Sequence, residues 1–177
     1  MMGKHRVEAL MDLIKQGHKD ALGELYDLTY LDIYKYVYSI TNSKEHAQDI
    51  THDVYIQIYK NIQSYNGKGH AMAWLITIAR NQTYMFLRKN NRSVLVDYEI
   101  DHVDDKIEDM QNSILIDMFM NELSEEEREI IVLHVVEDLT FIEISKIVNK
   151  NLSTVLSQYH RSVKKLKRKY GGAHREK

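Results

Sequence analysis

Apolar residues recur along this chain with the period of an α-helix for most of its length. Val7, Leu10, Met11 and Ile14 stand at i, i+3, i+4 and i+7 and predict a helix over 6–15, stopped by Gly17. Asp20 is placed to cap a second helix, with Leu22, Leu25, Ile33, Tyr36, Val37 and Ile40 inward. Ser43 is placed to cap a third, whose stripe is Ala47, Ile50, Val54, Ile58 and Ile62. Two glycines and Asn66 make 64–70 a loop. A fourth helix is predicted over 71–90, with Leu75, Ile78, Ala79, Gln82 or Thr83, and Phe86 inward. Its other side carries Arg80, Asn81, Tyr84, Arg88 and Lys89.

Further on, Ile114, Leu115, Met118 and Phe119 suggest a short helix. Ser124 with Glu127, and Thr140 with Glu143, are two S/T-x-x-E capping boxes, each satisfying backbone donors at a helix start. Leu139 and Ile144 stand as a hydrophobic staple around the second box. The helix from Thr140 is predicted to end near Val148, followed by a turn at 149–151. A long helix then runs from about 152 to 170, with Val155, Tyr159, Val163 and Leu166 inward and Gly171-Gly172 as its stop. Short helix, tight turn and longer basic helix form a helix-turn-helix pattern.

Composition sharpens this picture. The 177 residues include no proline and 7 glycines, so few positions break a helix. Cysteine is absent, which excludes disulfides, thiol catalysis and cysteine-built zinc sites. No apolar run is long enough to cross a membrane and the start has no apolar signal core, so the expected location is the cytoplasm.

The net charge of −2 conceals a strong segregation. Residues 1–92 hold 12 Lys and Arg against 9 Asp and Glu; 93–127 hold 1 against 12; 128–177 hold 11 against 5. No carboxylate lies between Asp53 and Asp97, nor between Glu143 and Glu176, where nine Lys and Arg stand. Basic stretches free of acid are the footprint of nucleic-acid binding, because exposed helix faces otherwise mix both signs. The fold expected is therefore all-α: a helical domain over 1–92, an acidic linker over 93–112 and a helix-turn-helix domain over 113–177.

The last long helix carries Ser153, Thr154, Ser157, Gln158, His160, Arg161, Lys164 and Lys165. Small polar residues at its start and cations behind are the order needed to read base edges and hold phosphates. Gln pairs bidentately with adenine and Arg with guanine.

Two stretches resemble one family. AWLITIARNQTYMFLRKNNR, with YDLTYLDIYKYVYSIT and AQDITHDVYIQIYKNIQSY before it, and NELSEEEREIIVLHVVEDLTFIEISKIVNKNLSTVLSQYHRSVKKL resemble the bacterial RNA polymerase sigma factors of the extracytoplasmic-function (ECF) subfamily. The resemblance implies that the first domain binds the clamp of core polymerase and reads the melted minus-ten strand. The second would read the duplex minus-thirty-five element, next to the polymerase flap. The linker would thread through the polymerase channels, its acidity mimicking a nucleic-acid strand. Asp49, His52, Asp53 and Gln57 on the third helix are the implied clamp contacts. Tyr65, Asn66 and Lys68 in the glycine loop would hold an extruded base, Tyr65 by stacking, and Arg80, Asn81, Arg88, Lys89 and Arg92 would follow the strand. Trp74 is expected to pack in the core. The family also implies an anti-sigma factor as a partner. Departures are Ser124 after Leu123 where proline is usual, Asn149 where glycine is usual, Leu156 and Gln158 where the family has basic residues, and His52 where glutamine is common.

Two other classes meet the same residues. His46, Asp49, His52 and Asp53 contain a His-Asp dyad of the kind that binds metal in phosphohydrolases, but only His46, Asp49 and Asp53 share a face and no further ligands are identifiable. There is no Walker loop, no HExxH and no Ser-His-Asp arrangement, so neither metal, cofactor nor catalysis is expected. The alternative is a helix-turn-helix regulator acting on DNA without polymerase; the acid-free stretch 54–96 argues against it, since a sensor domain has no need of one.

Overall fold

A computed structural model describes residues 2–67, 69–90 and 122–170, with side chains from His5 onward. Lys68, Arg92, the linker 93–112 and the short helix expected near 114–119 lie outside the described residues. All regular structure among the described residues is helical.

Four helices form the N-terminal half: α1 (Met2–Lys15), α2 (Asp20–Thr41), α3 (Lys44–Asn61) and α4 (Ala71–Asn90), with a 3₁₀ turn at Ile62–Ser64. The expected stripes meet in one core: Leu10, Met11, Leu25, Ile33, Ile58 and Leu75 are among its fully buried side chains, joined on α4 by Ile76, which lies outside the expected stripe, whereas Ile78 is only partly buried. α2 is the central element and packs against α1, α3 and α4. On α4 it is Thr83 that faces the core, its hydroxyl donating to Ala79 O at 2.8 Å. Trp74 is partly buried, its ring 5.5 Å from that of Tyr65.

Ser43 caps α3, accepting from His46 N at 3.3 Å. Asp20 does not cap α2. Lys19 before it already has helical dihedrals and makes no side-chain cap, so Asp20 is the first helical residue and acts through its charge on the positive helix end. α2 stops at Asn42, whose left-handed φ of 49° suits asparagine.

The C-terminal half holds α5 (Glu125–Ile131), continued as a π turn over Val132–Val136, then α6 (Phe141–Ile147) and α7 (Leu152–Tyr170). Both capping boxes are formed. Ser124 and Thr140 each accept from the N3 amide at 3.3 Å, and Glu127 and Glu143 each accept from the cap amide, at 3.1 and 2.8 Å. Leu139 and Ile144, the staple pair, are both buried. His134 donates from Nδ1 to Leu139 O at 2.9 Å and stacks on Phe141, with Tyr159 of α7 edge-on to both.

The two halves pack against each other. α5 and the π turn lie on α2, and α6 lies on α4. Arg128 Nη1 donates to Ser39 O at 3.1 Å, and His70 Nδ1 is 2.9 Å from Glu143 Oε1.

Candidate nucleic-acid interface

The helix-turn-helix consists of α6, a turn at 149–151 and α7. Asn149 adopts a left-handed φ of 54°, and Lys150 N donates to Ser145 O at 3.0 Å. Asparagine tolerates this conformation better than other non-glycine residues, which is why the turn forms without the family's usual glycine.

α7 has three distinct sides. Val155 and Ser162 are buried, Ser162 donating to Gln158 O at 2.9 Å within the helix. Opposite them, Ser153, Thr154, Ser157, His160, Arg161 and Lys164 are all exposed and share one broad face. Gln158 and Lys165 lie on the flank between. Gln158 Nε2 donates to Glu126 Oε2 at 3.0 Å, and Lys150 Nζ lies 2.6 Å from the same oxygen. Lys165 reaches Glu127 at 3.7 Å, and Lys169 pairs with Glu122. The hydrogen bonds from Lys150 and then Gln158 hold the Glu126 carboxyl below its usual range. The acidic start of α5 thus engages one flank of α7, leaving the outer face open. Beside that face, Ser145, Lys146, Asn149, Lys150, Asn151 and Thr154 line an open polar cleft.

In the N-terminal half, Asn66, Asn81, Arg88 and Lys89 are exposed. Tyr65 is not. It is 2% exposed, its ring packs on Trp74, and its hydroxyl donates to Glu8 Oε1 at 2.5 Å. Burial first, then Glu8, raises its pKa. A phenol held this way is a loop anchor and is not available for stacking on a base.

Arg80 is turned inward. Its Nε donates to Glu129 Oε1 at 2.8 Å, and Glu129 is 3% exposed. The hydroxyl of Tyr36 donates to the same oxygen at 2.8 Å, and that of Tyr84 to Oε2 at 3.3 Å. Arg80 also lies 4.7 Å from the centre of the Tyr84 ring. Burial opposes the charge of Arg80, but Glu129 and the two phenols raise its pKa above the ordinary arginine value.

On α3, Asp49, His52 and Asp53 are exposed and Gln57 is half-buried. His52 lies against Tyr26 and Tyr30, whereas His46 packs on Phe86. The two histidines therefore face different neighbours, and no cluster of three metal-ligating side chains occurs among the described residues. Ile56, at i+7 from Asp49, is half exposed in the middle of this polar face. Sequence reading missed it, although it lies off the buried stripe.

Residues 25–93 match sigma-70 region 2 and residues 113–166 match sigma-70 region 4. These two matches take in more than half of the chain and define a sigma-70-type transcription factor. Among curated proteins, the ECF RNA polymerase sigma factor SigK of Mycobacterium sp. (strain KMS) is 28% identical, covering 91% of this chain and 89% of SigK. SigW of Bacillus subtilis (strain 168) is also 28% identical, covering 95% and 96%. The fold resembles that of CnrH in complex with the cytosolic domain of CnrY (TM-score 0.72, 15% identity, 95% of this chain and 99% of that one). It also resembles RpoE in complex with the anti-sigma factor NepR from Bartonella quintana (TM-score 0.70, 21% identity, 86% and 98%). The chain belongs to the ECF sigma factors, which direct RNA polymerase to promoters.

Proposed function

We propose that the chain divides this task between 1–92 and 113–177, joined by the acidic linker 93–112. The outer face of α7 reads the minus-thirty-five duplex: Ser153, Thr154, Ser157 and His160 meet base edges, and Arg161 and Lys164 hold flanking phosphates. The observation that carries this reading is the segregation of those six side chains onto one exposed face, while Gln158 and Lys165 are held by α5.

The N-terminal half binds the clamp of core polymerase through Asp49, His52, Asp53 and Gln57, with Ile56 as its apolar centre. Asn81, Arg88, Lys89 and Arg92 follow the melted minus-ten strand, with Asn66 and Lys68 at the loop, and Tyr65 acts by fixing that loop to α1. Arg80 joins them only when freed from Glu129. The relatives' complexes support an anti-sigma factor as a further partner. The protein acts in the cytoplasm as a dissociable initiation factor with no chemistry of its own; no described helix is long and apolar enough to cross a membrane.

Transcription in vitro with purified core polymerase and genomic DNA tests this. New start sites preceded by two spaced sequence blocks are expected only when the protein is added. Palindrome binding without polymerase, and no new starts, would instead establish the regulator alternative.

A further inference from the structure

The carboxylate of Glu129 receives three donors from the opposite half of the molecule. Tyr36 comes from α2, and Arg80 and Tyr84 come from α4. They converge from 93, 49 and 45 residues away in sequence. A guanidinium flanked by two phenol hydroxyls is a ready-made set of donors for one anionic group with two oxygens, and a phosphodiester presents the same pair of charged oxygens as a carboxylate. Two of the three donors, Arg80 and Tyr84, lie on the same helix as the basic residues Arg88 and Lys89.

We infer that Tyr36, Arg80 and Tyr84 form a phosphate-binding site for the single strand, and that Glu129 occupies it as an intramolecular latch until the two halves separate. This rests on the reading of α4 as the strand-binding helix. The interface has the character of one that opens. Alongside its apolar residues it buries Glu129, Glu137 Oε1 and Arg128 Nε, the last two without a hydrogen-bond partner. A permanent interface would fill such positions with apolar side chains, whereas polar groups regain water when the halves part. With Glu129 in place Arg80 cannot reach DNA, so the closed arrangement and strand binding exclude one another.

The chain has no cysteine, so Gln48→Cys and Lys167→Cys, both exposed, take a pair of fluorescent labels without competition. Energy transfer between them in the full chain reports closure, and fluorescein-labelled oligo(dT) of 12 nucleotides reports phosphate binding without needing the promoter sequence. Glu129→Gln keeps the shape and removes the charge. It is expected to lower energy transfer and to tighten oligo(dT) binding about tenfold, a gain that Tyr36→Phe and Tyr84→Phe together abolish. Should Glu129→Gln fold poorly by circular dichroism, Tyr36→Phe alone in the wild-type background still loosens closure. Unchanged energy transfer in a well-folded Glu129→Gln or Tyr36→Phe overturns the latch. Separation without tighter oligo(dT) binding overturns the phosphate site, whereas the reading of α4 falls only if Arg88→Ala and Lys89→Ala also leave oligo(dT) binding unchanged. New start sites in the transcription assay remain an independent measure of promoter selection.

Discussion

Tyr65 donates its phenol hydroxyl to the carboxylate of Glu8, 57 residues earlier, and its own carbonyl accepts from Lys15 Nζ at 2.5 Å. The glycine loop is thereby fastened to the middle and the C-terminal end of α1, and Gly69 N adds a third tie to Glu8 at 3.1 Å. Tyr65→Phe is expected to lower stability by about 1 kcal/mol, since it leaves a part-buried acceptor with one donor fewer. Tyr65→Ala is expected to cost about 3–5 kcal/mol, because it also empties the space against Trp74. Denaturant unfolding measures both. A loop tyrosine that stacks on a base would give no loss of stability in either variant and a large loss of strand binding.

The sides of α7 separate two kinds of lysine and arginine. Arg161→Ala is expected to weaken binding of polymerase holoenzyme to the minus-thirty-five duplex by about 1–3 kcal/mol and to reduce the salt slope by about 1. Lys165→Ala is expected to do much less, as its ammonium group faces Glu127. Equal effects from the two would contradict the assignment of the outer face. Titrations at several salt concentrations provide the comparison.

Glu137 gives the closed arrangement a pH dependence. It is 5% exposed, and burial, reinforced by Asp32 and opposed by Lys35 of α2, raises its carboxyl from 4.5 to about 8. Because the value is raised, the closed form takes up a proton that the open form releases. The contribution to closure is therefore full below about 4.5 and is lost as pH rises through about 8, by at most about tenfold per pH unit. Energy transfer between labels at 48 and 167 is expected to fall across that window. Glu137→Gln should flatten the profile; a wild-type profile already flat would remove Glu137 from the account.

Thr140→Ala removes one half of the second capping box. The loss expected is about 1 kcal/mol, seen as a lower unfolding midpoint for the C-terminal half. Burial opposes ionisation of Glu143, but its bonds to the Thr140 hydroxyl and amide, with His70, hold its pKa below the usual value. Thr140→Ser should retain most of the stability, since serine offers the same acceptor.

Most of the helical framework was legible because its signals are local. The capping boxes need only a side chain and an amide three residues apart, and Ser43 works the same way. The apolar stripes of α1, α3 and α4 likewise depend only on spacing. Asp20 was misplaced by one position because Lys19 is already helical, a difference of backbone angle that composition does not carry. The inward turn of Arg80 was illegible for another reason. Its partner is 49 residues away, and nothing near either residue marks the pairing. Tyr65 belongs with it, since its burial is decided by α1. Gln158 and Lys165 are an intermediate case: their separation of seven residues places them on one side of the helix, but only the packing of α5 shows that acids meet them there.

The outer face of α7 has a consequence for how such proteins diverge. Ser153, Ser157, His160, Arg161 and Lys164 stand outside the packed side of the helix, while Val155, Ser162, Gln158 and Lys165 fasten it to the rest of the domain. Exchanges at exposed positions of this kind usually change stability by no more than about 0.5 kcal/mol. On the reading of this face proposed above, a lineage can retune which promoters it reads through successive single replacements, each leaving the scaffold intact, and paralogues can part company in regulon long before they part in architecture.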